Sequence, residues 1–81
     1  MNLEERFVNG ELEAILFTTP TCSYCPAAKD HLSKFDNVTI EDATKNRELA
    51  AKYNIMSAPS LVILGDDIEF KVVNKDSIMK L

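Results

Sequence analysis

Cys22 and Cys25 are the only two cysteines in this 81-residue chain, and they stand two residues apart in the run FTTPTCSYCPAAKDHL. Only the thiolate form of a cysteine attacks a disulfide or binds a metal, so the surroundings of the pair decide what it can do. Here an apolar extended segment ends and a helical pattern begins. The start of a helix offers unpaired backbone N–H groups and the positive end of the peptide dipoles, and both favour a thiolate. A free cysteine has a pKa of about 8.5, and in Cys-X-X-Cys motifs the value falls to roughly 3.5–7.5. The first sulfur is therefore expected to be substantially ionised at neutral pH.

The two sulfurs are not equivalent. Cys25, Ala28, Leu32 and Phe35 recur at three- and four-residue intervals and form one apolar helical stripe, which turns Cys25 toward a core. Cys22 lies at or before the first turn and is expected to be the exposed sulfur. The roles divide accordingly. Cys22 attacks a substrate disulfide to give a mixed disulfide, and Cys25 then attacks Cys22 and releases the reduced product. No metal or organic cofactor is required. Zinc binding is the rival use of a Cys-X-X-Cys, but zinc needs four ligands. His31, six residues beyond Cys25 on the same helical run, lacks a usual ligand spacing, and it reads as a solvated side chain rather than an acid or base.

Composition narrows the setting. Eighty-one residues with 46% hydrophobic content suffice for one core, so residues 1–81 are expected to form a single domain. A formal net charge of −4 with no basic run argues against nucleic acid or an anionic membrane as partner. The N-terminal MNLEERFVNGELE lacks a basic stretch followed by an apolar run, and no segment approaches the ~20 apolar residues of a membrane span. A cytoplasmic protein is expected, and in that reducing compartment a cysteine pair is more often catalytic or metal-binding than structural.

The elements that must position the pair follow from pattern and punctuation. Leu3, Phe7 and Gly10 suggest a short helix or turn. Ala14 to Thr18 (AILFT) reads as a central strand, stopped by Thr19-Pro20. Ser23 is a candidate cap for a helix that holds Pro26 in its first turn and runs to about Phe35. Val38 to Glu41 (VTIE) is a second strand, parallel to the first across a right-handed crossover. Thr44 to Tyr53 is a second helix, with Thr44 as candidate cap and Leu49 and Tyr53 facing inward. Ser60 to Leu64 and Ile68 to Val73 form a hairpin about Gly65-Asp66-Asp67, and Asp76 to Leu81 close with a short helix.

Two stretches carry a family likeness. TPTCSYCP following AILF, and the separate run ELAAKYNIMSAPSLVIL, resemble the thioredoxin and glutaredoxin superfamily. The likeness implies a thioredoxin-like three-layer α/β/α fold whose four-stranded mixed sheet has the order 2-1-3-4, with the last two strands antiparallel. It also implies that Pro59 is a cis proline beside the cysteine pair and that the backbone of Ala58 pairs with an extended substrate. Read from the residues alone, Pro59 is merely a strand-initiating proline. Thr21 and Tyr24 are expected to rim the site, and Met56 to offer an apolar docking patch or fill the core.

The departures sort the branches of the superfamily. Tyr24 before the second cysteine is similar to glutaredoxins, yet Thr18 and Thr19 stand where many of those carry a basic residue. IEFKVVNKDS lacks the Gly-Gly and polar pair that hold the glutathione carboxylate. Against thioredoxins, the Trp-Cys-Gly-Pro-Cys site is replaced by Thr21-Cys22-Ser23-Tyr24-Cys25, and Leu16 occupies the place of a buried aspartate. The expected activity is reduction of protein disulfides by a monomer that draws electrons from an NADPH-linked flavoprotein thioredoxin reductase. The alternatives are a glutathione-dependent glutaredoxin, a dimeric Fe–S carrier with Cys22 as cluster ligand, and a non-catalytic binding module of the same fold.

Overall fold

In the computed structural model, which describes residues 3–65, 69–73 and 75–81, the apolar run Glu13–Thr18 forms strand β1 inside a four-stranded sheet. The chain enters through helix α1 (Leu3–Val8) and leaves β1 for helix α2 (Cys25–Leu32). Strand β2 (Val38–Asp42), helix α3 (Arg47–Lys52), strands β3 (Ser60–Leu64) and β4 (Glu69–Val72) and helix α4 (Lys75–Met79) follow. The sheet order is β2-β1-β3-β4, with β1 and β2 parallel and the other two pairings antiparallel, as expected. Asp66 and Asp67 of the expected turn, and Ile68 as the expected first residue of the last strand, lie outside the described residues.

Alternation along the strands assigns side chains to two faces. Ala14 and Leu16 of β1 join Leu61 and Ile63 of β3 under α1, α2 and α4, where Phe7, Ala28, Leu32 and Ile78 complete a buried cluster. Phe17 and Val62 point to the opposite face and meet Ala50 and Tyr53 of α3 and its C-cap. Helices thus cover both sides of the sheet. Fully burying a Leu, Ile or Phe side chain contributes about 1.5–3 kcal/mol, so the first cluster supplies most of the cohesion. Asn37 ties the entry to this face, because its side-chain Nδ2 donates to the carbonyls of Phe7 and Leu12 on either side of Gly10. Gly10, with φ of +84°, takes the left-handed turn between α1 and β1 at no steric cost.

Three local expectations are corrected. Helix α2 begins at Cys25 rather than after a Ser23 cap, and its N-cap is Tyr24, which gives no side-chain hydrogen bond. Its first intrahelical bond runs from Ala28 N to Tyr24 O at 3.1 Å, and the helix stops at Leu32, short of Phe35. Helix α3 is capped by Asn46, whose side chain accepts from Leu49 N, because Thr44 is already committed to Asp42. At its other end Asn54 adopts φ of +54°. There Asn54 N donates to Ala51 O and Ile55 N to Ala50 O, the paired bonds of a Schellman motif.

Candidate active site

Strand register decides what meets at the cysteine end of the sheet. Thr18 pairs with Asp42 and Phe17 with Ser60, so the chain leaves β1 and β2 and enters β3 at one edge. Parallel strands place their carboxyl ends together, and the loops beyond them gather there. Ala43 N donates to Thr18 O at 2.8 Å and holds the exit of β2 against the exit of β1. From Thr19 the chain turns immediately, with Cys22 N donating to Thr19 O at 3.2 Å, and then enters α2 at Cys25.

Cys22 and Cys25 are joined as a disulfide with Cα atoms 5.4 Å apart, which is the oxidised form of the dithiol. Cys25 is 3% exposed and sits on the buried stripe with Ala28 and Leu32, as the helical spacing predicts. Cys22 is half-buried rather than freely exposed. It lines one wall of a groove of about 430 Å³ with Thr19 and Thr21; Ala43, Ile55, Met56, Ser57 and Ala58 form the remainder. None of these side chains carries a charge.

The Ala58–Pro59 peptide is cis, as the family likeness implies. Pro59 is buried and Ala58 half-buried, and Ser60 Oγ donates to Ser57 O at 2.6 Å to brace the loop from below. Among the described residues no hydrogen bond engages the Ala58 N–H or C=O. Met56 is 88% exposed, which removes it from the core and makes it part of the groove's rim. Thr21 is in the groove wall, whereas Tyr24 stands 52% exposed beside the helix start, beneath Lys75 Nζ at 3.9 Å from its ring centroid.

Electrostatics separate the site from its surroundings. Leu16 is fully buried among apolar side chains, so β1 offers Cys25 no carboxylate, and no Asp, Glu, Lys or His is buried among the described residues. The shift that stands out is that of Asp42. The Thr44 hydroxyl donates to its carboxylate and lowers its pKa below the ordinary 3.8, helped by the backbone N–H groups of Thr44 and Lys45. This turn presents Ala43 to the groove. His31 is not merely solvated, since its Nε2 lies 2.9 Å from Leu81 O, which also accepts from Lys34 Nζ. No helix among the described residues is long and apolar enough to cross a membrane.

Sequence reasoning found the cysteines and the Ala58-Pro59 edge but missed Thr19, Ala43, Ile55 and Ser57, which converge only through the sheet register. Lys75 was also missed, because 51 positions separate it from Tyr24 and no local pattern connects them.

Comparison with known proteins agrees with this geometry. The family model described as Glutaredoxin matches residues 14–68. A thioredoxin of Methanocaldococcus jannaschii is 40% identical over 62 residues, which span 68% of this chain and 72% of that protein. A probable thioredoxin of Methanothermobacter thermautotrophicus is 35% identical over 57 residues, or 62% of this chain and 67% of its own. Among solved structures, mitochondrial thioredoxin 3 of Saccharomyces cerevisiae superposes with a TM-score of 0.69 at 18% identity, over 95% of this chain and 83% of that one. The germline thioredoxin Deadhead of Drosophila melanogaster gives 0.68 at 20% identity, over 91% and 80%. At these identities the two structures attest the fold alone.

Proposed function

We propose that this chain, which belongs to the glutaredoxin family within the thioredoxin/glutaredoxin superfamily, is a thiol-disulfide oxidoreductase that reduces disulfides in other proteins with electrons from a flavoprotein thioredoxin reductase. The observation that carries the reading is the asymmetric disulfide: a half-buried Cys22 in the wall of a groove, bonded to a buried Cys25. A sulfur within reach of a substrate and a second sulfur shielded behind it fit sequential exchange.

The reduced dithiol starts the cycle. The Cys22 thiolate attacks one sulfur of the substrate disulfide; a Cys22–substrate bond forms, the substrate S–S bond breaks, and the departing thiolate takes up a proton. Cys25 loses its proton and attacks the Cys22 sulfur, which re-forms the bond seen here and expels the second substrate thiol. Two electrons pass from the dithiol to the substrate. The buried part of β1 places no carboxylate beside Cys25, and the acceptors that remain for its proton are water, a lysine or the leaving thiolate. On the far wall, the Ala58 N–H and C=O are available to pair with an extended substrate as an added strand, and Thr21 and Tyr24 flank its path.

The electron source is the finer part of the reading. Thioredoxin relatives and the missing glutathione-carboxylate contacts favour a thioredoxin reductase; the glutaredoxin family model favours glutathione. A cytoplasmic setting, proposed from the sequence, favours the reducing direction, where about 30 mV of potential corresponds to about 1.4 kcal/mol. The test is insulin reduction with NADPH supplied through thioredoxin reductase or through glutathione and glutathione reductase. Faster turnover by the first route supports the proposal, and faster turnover by the second replaces the electron source with glutathione.

A further inference from the structure

Among the described residues three lysines sit over aromatic rings, and one of them is unlike the others. Lys34 lies 5.2 Å from the Phe35 centroid and Lys52 lies 5.4 Å from that of Tyr53, each beside its sequence neighbour. Lys75 comes from the first residue of α4 and reaches Tyr24, inside the Cys-X-X-Cys motif, at 3.9 Å. A cation at a helix start gains nothing from the peptide dipoles, so the ring and not the helix accounts for its placement. Tyr24 remains 52% exposed under it, which leaves this corner of the site open to a substrate.

The groove that Cys22 helps to line has only uncharged side chains, and the chain as a whole carries a net charge of −4. A cation held beside the motif is therefore a local exception to an acidic molecule. We propose that Lys75, fixed over Tyr24, is a specificity-determining residue that favours protein disulfides in which a carboxylate side chain adjoins the attacked cysteine. The inference rests on the oxidoreductase reading. An exposed ion pair is worth about 0.2–1 kcal/mol, so the expected preference is about 1.4- to fivefold.

The experiment uses peptides that share one sequence and one intramolecular disulfide and differ only in Glu, Gln or Lys beside the first cysteine. Pre-reduced protein is mixed with each, and single-turnover oxidation of the Cys22-Cys25 pair is followed by thiol trapping, which requires no electron donor. The expected order is Glu faster than Gln faster than Lys at low salt, with the spread collapsing in about 0.5 M salt, where screening shortens the reach of exposed charges. Lys75→Ala should equalise the three peptides. Lys75→Glu should invert the order, and Lys75→Arg, which keeps both charge and ring stacking, should preserve it. A preference that survives Lys75→Ala, or a Lys75→Ala loss equal for all peptides, overturns the assignment; the second result would mean that Lys75 acts on the thiolate or on Tyr24 without discriminating substrates. If no peptide is reduced at any rate, the oxidoreductase reading itself fails, a result distinct from equal rates.

Discussion

The two walls of the groove are built on opposite plans. On one side Cys22 stands just ahead of a helix that buries Cys25 and locks Ala28 and Leu32 into the larger cluster against the sheet. On the other, Ile55 to Ala58 hang from the end of α3 over the smaller cluster, contribute no reactive atom and expose Met56 almost fully. One wall needs rigidity because bond exchange demands that Cys25 reach the Cys22 sulfur in a set geometry. The other presents the backbone edge of Ala58 and the exposed Met56 side chain. In the proposed function, a small thiol-disulfide oxidoreductase divides chemistry from recognition between loops that are far apart in sequence.

Substitutions can break this contrast, beginning with those of greatest effect. Cys22→Ser should abolish turnover entirely, and Cys25→Ser should abolish it while accumulating mixed disulfides on Cys22, seen as mass-shifted adducts that dithiothreitol removes. Recovery of no adducts would argue against the roles assigned to the two sulfurs. Leu32→Ala, deep in the chemical wall, should cost about 2–5 kcal/mol and lower the Tm by at least about 8 °C in a scanning melt. Under the recognition wall, Asn46→Ala removes the cap of α3 and should cost about 1 kcal/mol in urea unfolding. Met56→Ala should change stability by less than about 0.5 kcal/mol. It should raise KM for insulin by about threefold with kcat unchanged, the mark of lost uniform binding. A fall in kcat would draw that loop into the chemistry and erase the contrast.

The smallest effect concerns pH. Asp42 has a lowered folded pKa, so its contribution is fully present above the ordinary value of 3.8 and is lost as pH falls through the folded value. Asp42 sits half-buried at the turn that carries Ala43, and Asp42→Asn should lower stability slightly at neutral pH, with the difference from the parent shrinking as pH falls below about 4 in a urea-unfolding series.

Much of this arrangement was legible in the chain because the strong signals were local. AILFT, VTIE and SLVIL are strands by composition, and the spacing of Cys25, Ala28 and Leu32 gives the buried face of α2. The caps were misread where two residues competed. Ser23 and Thr44 have the right chemistry for a cap, but the helices begin after Tyr24 and Asn46, since the Thr44 backbone and hydroxyl both serve Asp42. Residues such as Ala43 and Ile55 have no sequence signature of their own, and only the pairing of β1 with both β2 and β3 brings them to Cys22. The Lys75–Tyr24 contact needs the whole fold.

Asn54 reverses the backbone at the end of α3 and so aims the loop that follows. The handedness of this one residue thus sets the course on which Ile55 to Ala58 approach the Cys22 side of the groove. Glycine would accept that handedness freely, whereas a β-branched residue would resist it. Substitution at position 54 is therefore expected to move one side of the groove while leaving both cysteines as they are.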